Sequence, residues 1–187
     1  MSERFEVIET PLAGLRLLQR KPRVDSRGYL ERLYCRTELR RMLNGAQIEQ
    51  INHTLTHGCG TVRGLHFQHP PHAEMKLVTC LRGEVFDVAV DLRRGSPTLF
   101  AWHGERLSGD NHRTLAIPRG FAHGFQTLTE DCEMLYLHTA AYQPAAEAGI
   151  NPKDPRIAVR WPLAVAHMSE RDLSHPLIDG NFCGVLL

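Results

Sequence analysis

The chain has 187 residues, 22 of them Lys or Arg against 21 Asp or Glu, and its longest basic clusters are the pairs Arg40–Arg41 and Arg93–Arg94. Balanced charge without a basic stripe excludes a surface that coats nucleic acid, but leaves room for one diphosphate in a pocket. The length suits a single domain, 1–187, that buries about 70% of its unfolded surface, so a metal would serve function rather than folding.

The opening MSERFEVIETPLAG lacks the basic and apolar regions of a secretory signal. No run reaches the ~18 apolar residues of a membrane span, so the chain reads as cytoplasmic, with no membrane partner. Its five cysteines (35, 59, 80, 132 and 183) are an odd number without a C-x-x-C pair, which favours free thiols over disulfides or a thiolate zinc site.

Short β-branched and aromatic runs alternate with Gly, Pro, Asp and Asn punctuation. In chain order the strand candidates are FEVIE, LRLLQ, MKLVTCL, EVFDVAVDL, RTLAIP, FAHGFQTL and EMLYLH. Turns are expected at 82–83, 93–97, 108–111 and 118–120. Strands at roughly ten-residue spacing predict an all-β antiparallel sandwich or barrel. Two short helices are expected: TELRRML, with Thr37 as N-cap and Asn44–Gly45 as stop, and SERDL, starting at Ser169. Strand alternation puts Lys76 on one face with Val78 and Cys80. It separates an apolar face of Phe86, Val88, Val90 and Leu92 from Asp87 and Asp91, which solvent could accommodate.

Residues 63–76, RGLHFQHPPHAEMK, concentrate three histidines, a glutamate and a lysine. A metal site fits poorly. His66 and His69 fall on opposite faces of a strand, and Pro70–Pro71 breaks the strand before His72. Acid–base chemistry suits a single inward histidine better, because imidazole titrates near neutral pH. His66 would then take a proton, and Lys76 would stabilise an enolate oxygen.

RGLHFQHPP, KLV, GEVFDVAVDLR, SPT, IPRGFAHGF, the Y-x-P-x-x-E of YQPAAE, DP, WP and the S-x-x-D of Ser169–Asp172 follow one another in order over most of the chain. This series resembles the dTDP-4-dehydrorhamnose 3,5-epimerase family. The resemblance implies a double-stranded β-helix, or cupin jelly roll, and a homodimer whose N-terminal strands help complete the partner's sheet and site. It also implies an enzyme without metal or other cofactor that inverts carbon 3 and/or 5 of a nucleotide-linked 4-keto-6-deoxy sugar in deoxysugar and polysaccharide biosynthesis.

Position by position, the resemblance makes His66 the general base, Asp172 the carboxylate that orients it and Lys76 the partner of the keto or enolate oxygen. His123 stands as a second site histidine and Asp87 as a further acidic position. Arg27, Gln50, Asn52, Arg63, Glu147 and Arg171 would hold the substrate. Arg171 replaces an expected lysine, and the stretch before Glu31 is one residue short. S-x-x-D is also a capping pattern, a duty that would compete with a role for Asp172 beside a histidine. In TAAYQP, Ala141 stands where the family's proton-donating tyrosine is expected. A working epimerase with a substitute acid (a water, His138 or Tyr136), a one-centre isomerase and a sugar-nucleotide binding protein all remain open on this reading.

Overall fold

The computed structural model describes residues 4–187. The chain begins with β1 (Phe5–Glu9), β2 (Arg16–Arg20), a hairpin of β3 (Arg23–Asp25) and β4 (Gly28–Leu30), and the helix α1 (Arg36–Leu39). Eight strands follow: β5 (Gln50–Thr56), β6 (Val62–Gln68), β7 (Lys76–Arg82), β8 (Glu84–Asp91), β9 (Trp102–Ser108), β10 (Arg113–Ile117), β11 (Phe121–Thr127) and β12 (Cys132–His138). The short strand β13 (Glu147–Gly149) and the helix α2 (Glu170–Ser174) come last.

The pairings of the eight central strands nest: β8 with β9, β7 with β10, β6 with β11 and β5 with β12, all antiparallel. Successive pairs alternate between two sheets, ordered β1-β2-β10-β7-β12-β5 and β13-β6-β11-β8-β9. A long hairpin coiled in this way is a double-stranded β-helix, so the all-β jelly-roll expectation holds.

Three apolar layers hold the sandwich. Val78, Cys80, Val85, Ala89, Phe125 and Met134 fill the space between the sheets. Leu77 and Leu137, on the other face of β7 and β12, are covered by Leu39, Met42 and Leu43. Val88, Val90 and Leu92, on the other face of β8, are covered by Ile157, Trp161 and Val185. Because β7 and β8 are buried on both faces, they read as nearly continuous apolar runs, and polar residues in them stay inside. Asp87 and Asp91 are accordingly both fully buried, not solvated. Asp91 accepts hydrogen bonds from Arg93, Ser96 and Thr98 and so fixes the turn after β8.

α1 is shorter than expected and is capped at Cys35, with Thr37 inside it. The stop comes earlier than Asn44–Gly45: the helix ends at Leu39 with Arg40 as its C-cap, and turns carry the chain to Asn44, which takes a left-handed conformation (φ 49°). Packing of Leu39, Met42 and Leu43 on the sheet, rather than a side-chain cap, fixes this segment. α2 follows expectation: Ser169 is its N-cap, and its Oγ accepts from the Asp172 N–H at 3.0 Å.

Candidate active site

A cavity of about 260 Å³ opens between the two sheets at one end of the sandwich. Strand parity decides which side chains enter it. On β12, Met134, Tyr136 and His138 alternate with Leu135 and Leu137, so Tyr136 and His138 turn inward beside Val78 and Lys76 of β7. On the facing sheet, His66 of β6 is in register with His123 of β11. Groups from both sheets therefore look at the same space.

His66 donates from Nε2 to Asp172 Oδ1 at 2.7 Å. This contact also settles the capping question. Ser169 takes the Asp172 backbone N–H, and the Asp172 carboxylate is left to accept from His66 and from the Gly64 N–H at 3.2 Å. Gly64 also lets β6 lie close against β11, because a Cβ there would fall 2.5 Å from Gly124 Cα. Burial raises the pKa of Asp172, but the His66 bond and charge, with the Gly64 and Ser169 contacts, hold it below the usual carboxylate range.

Lys76 is buried, and its Nζ lies 3.1 Å from Glu74 Oε1 and donates to the His66 carbonyl at 3.2 Å. Glu74 also accepts from Gln68 Nε2 at 3.0 Å. Behind them His123 Nε2 donates to Asp87 Oδ2 at 2.9 Å. Burial raises the Asp87 pKa, opposed by the nearby His123 and Lys76. The Tyr136 ring stands edge-on to His123, with centroids 6.0 Å apart, and burial pushes its phenol pKa above the ordinary tyrosine value. Burial and then the Lys76 charge depress His138 to about 4, so it is neutral at pH 7.

The mouth is a polar network. Gln50 donates from Nε2 to Asn52 and accepts the Tyr142 N–H, while the Tyr142 hydroxyl donates to Glu147 Oε2 at 2.6 Å. Arg171 pairs with the other Glu147 oxygen.

Of the residues expected from sequence, His66, Lys76, Gln50, Asn52, Arg63, His123 and Glu147 line this one cavity. Asp172 stands behind His66, and Arg171 borders the adjoining depression, reaching the mouth through Glu147. Arg27 is not brought here. It is exposed at the tip of the β3–β4 hairpin and pairs with Asp25 at 2.7 Å, because that hairpin forms a separate two-stranded sheet. His69 and His72 also lie outside the lining, as expected of loop residues around two prolines. Ala141 is exposed and does not line the cavity, whereas Tyr136 does. The phenol inside the cavity is thus not at position 141, where the proton donor was expected, but five residues upstream, on β12. Glu74, Gln68, Tyr136 and His138 are among the lining residues that sequence reasoning left without a firm place. The alternation Met134-x-Tyr136-x-His138 against Leu135 and Leu137 carried the signal for Tyr136.

The family model described as dTDP-4-dehydrorhamnose 3,5-epimerase matches residues 9–179. A dTDP-4-dehydrorhamnose 3,5-epimerase of Salmonella typhimurium is 41% identical over 176 residues, 92% of this chain and 95% of the relative. A dTDP-4-dehydrorhamnose 3-epimerase of Streptomyces niveus is 44% identical over 113 residues, 60% of this chain and 55% of the relative. Among solved structures, a dTDP-6-deoxy-D-glucose-3,5-epimerase of Legionella pneumophila in complex with dTDP-4-keto-L-rhamnose superposes with a TM-score of 0.89 at 36% identity, covering 97% of this chain and 98% of that one.

Proposed function

The chain belongs to the dTDP-4-dehydrorhamnose 3,5-epimerase family, and from that premise we propose that it epimerises a nucleotide-linked 4-keto-6-deoxy sugar by removing and returning a proton next to the ketone. The ketone at carbon 4 acidifies the hydrogens on carbons 3 and 5. With its Nε2–H held by Asp172, His66 has Nδ1 as its basic nitrogen and takes one of these protons. The electron pair moves to the carbonyl oxygen, where the Lys76 ammonium balances the enolate. Tyr136, on the sheet opposite His66, returns a proton to the other face, and the configuration inverts. Gln50, Asn52, Arg63, Glu147 and Arg171 take the nucleotide and diphosphate side.

The observation that carries this reading is the 2.7 Å His66–Asp172 bond at a cavity that also contains Lys76 and Tyr136. A phenol within the cavity removes the reason, drawn from Ala141, to expect an impaired or binding-only protein.

The functional unit is a homodimer. Val24, Tyr29 and Leu30 on the β3–β4 hairpin are 61–76% exposed, and Ile51 on the edge strand β5 is 63% exposed. Apolar surface of this kind on a hairpin and an edge strand supports covering by a second copy. That arrangement would carry Arg27 toward the partner's cavity. The shared core between the sheets supports one domain, and the reaction belongs in the cytoplasm, where nucleotide sugars are handled without a membrane partner.

The test is solvent deuterium incorporation into a dTDP-4-keto-6-deoxyhexose in D₂O, followed by proton NMR. Exchange with inversion is expected, and the position that exchanges separates inversion at carbon 3 alone from inversion at both carbons. Unlabelled, unchanged sugar after prolonged incubation would overturn the reading.

A further inference from the structure

Behind the His66–Asp172 pair lies a second imidazole, that of His175, one residue past α2. Its Nε2 is 3.9 Å from Asp172 Oδ1, too long for a hydrogen bond, and its ring centroid is 5.5 Å from that of His66. This Nε2 is buried and has no hydrogen-bond partner among the described residues. A buried nitrogen without a partner is uncommon and calls for an explanation. Space for the ring is made at Gly149, directly opposite His66 in the β13–β6 register, where a Cβ would fall 2.3 Å from His175 Nε2.

We propose that His66, Asp172 and His175 form a three-ligand site for a divalent transition-metal ion of the Zn²⁺ type, and that filling it switches the base off. One ligand atom from each residue lies within 4.8 Å of the other two. Bonds of about 2.0–2.2 Å in tetrahedral geometry require ligand atoms roughly 3.3–3.6 Å apart, within the range that these atoms span. Two imidazoles and one carboxylate with a fourth position open are a donor set that zinc accepts. Arg171, a neighbouring cation, is already paired with Glu147.

The switch follows from imidazole tautomerism and rests on the reading of His66 as the base. In the metal-free site the His66 proton sits on Nε2, bonded to Asp172, and Nδ1 carries the lone pair that accepts the substrate proton. A metal bound at Nε2 takes that nitrogen's lone pair, so the proton of the neutral ring moves to Nδ1. The proton count of the ring is unchanged, but Nδ1 can no longer act as a base. Because the metal takes the Nε2 lone pair of His66 and leaves Gln50 and Asn52 at the mouth untouched, the turnover rate falls while nucleotide binding persists.

The experiment titrates the wild-type protein, His175→Ala and His175→Gln with Co²⁺ and Zn²⁺, and measures deuterium exchange and dTDP binding in each protein before loading, after loading and after EDTA. The wild type is expected to bind one Co²⁺ with the d–d spectrum of nitrogen and oxygen ligation, lose exchange at least about tenfold on loading and recover it with EDTA, with dTDP affinity unchanged. Both variants are expected to need at least about 10- to 100-fold more metal, the cost of losing even an outer-shell partner of a ligand. Thiolate charge-transfer bands, which would place the ion on a cysteine, or variants that bind as tightly as the wild type, overturn the proposal. Metal binding through the triad in a protein that shows no exchange even without metal overturns the catalytic reading and the switch, but not the metal site. Intact exchange with no binding overturns the metal site alone.

Discussion

Asp172 and His66 meet at 2.7 Å across 106 positions of sequence, with Asp172 carried on the short helix that Ser169 caps. Replacing Asp172 with asparagine keeps the size of the group but removes the charge that stabilises an imidazolium. A positioned acid–base group is worth about 10² to 10⁴ in rate. Asp172→Asn is expected to lose exchange within that range, and His66→Ala to lose it entirely. Residual exchange in His66→Ala, read by the same NMR assay, would show that another group is the base.

Tyr136 and Ala141 make opposite predictions. Tyr136→Phe removes the phenol from the cavity and leaves His66 in place, so deuterium should still enter the sugar while inversion drops by about 10² or more. Ala141→Tyr adds a phenol to an exposed site outside the cavity and should leave both rates unchanged. A gain in inversion for Ala141→Tyr would return the acid to position 141.

The comparison of these two positions also shows what the sequence conveys and what it withholds. Strands buried on both faces, such as β7 and β8, announce themselves through apolar runs, and the turn residues between them mark their ends. β5, β6 and β9 carry His, Asn, Arg and Glu because they line the cavity or a sheet edge, so their composition conceals them. Lys76 was placed correctly from its alternation with Val78 and Cys80. Asp87 and Asp91 were not, because partners 36 positions away (His123) or in the following turn (Arg93, Ser96, Thr98) make burial tolerable. Arg27 illustrates the remaining limit: the β3–β4 hairpin holds it in solvent, and only the proposed dimer would give it a place in a site.

Lys76 and Glu74 form an ion pair whose side chains are 10% and 4% exposed. Removing one member of a buried pair costs about 3–5 kcal/mol, because the other charge is left uncompensated. Lys76→Met is therefore expected to unfold at markedly lower denaturant. Lys76→Met with Glu74→Gln should regain most of that stability while remaining inactive, since the enolate still lacks its cation. Recovery of exchange in the double variant would remove Lys76 from the mechanism.

Completion of the site by a second chain has a direct test. Arg27→Ala and His66→Ala homodimers should each be impaired, the first chiefly through KM. Mixed and re-equilibrated, they should regain activity, because a heterodimer holds one cavity with both groups intact. Light scattering should report a dimer for the wild type and a shift toward monomer for Leu30→Asp, which puts a charge on the exposed hairpin. Absence of complementation in a proven mixed dimer would confine Arg27 to its own chain's surface.

Asp91 gives the pH dependence of stability. Burial raises its pKa, but Arg93, Ser96, Thr98 and the Arg93 N–H together lower it from 3.8 to about 2. A group whose folded pKa is depressed stabilises the native state above its unfolded pKa and loses that contribution as pH falls through the folded value. The window here is therefore about pH 4 down to about pH 2, and the shift corresponds to roughly 2 kcal/mol. Asp91→Asn should be less stable than the wild type by about that amount at pH 6, and the two denaturation midpoints should converge as the pH approaches 2. A gap that stayed constant across this range would mean that Asp91 stabilises the turn through hydrogen-bond geometry alone, not through its charge.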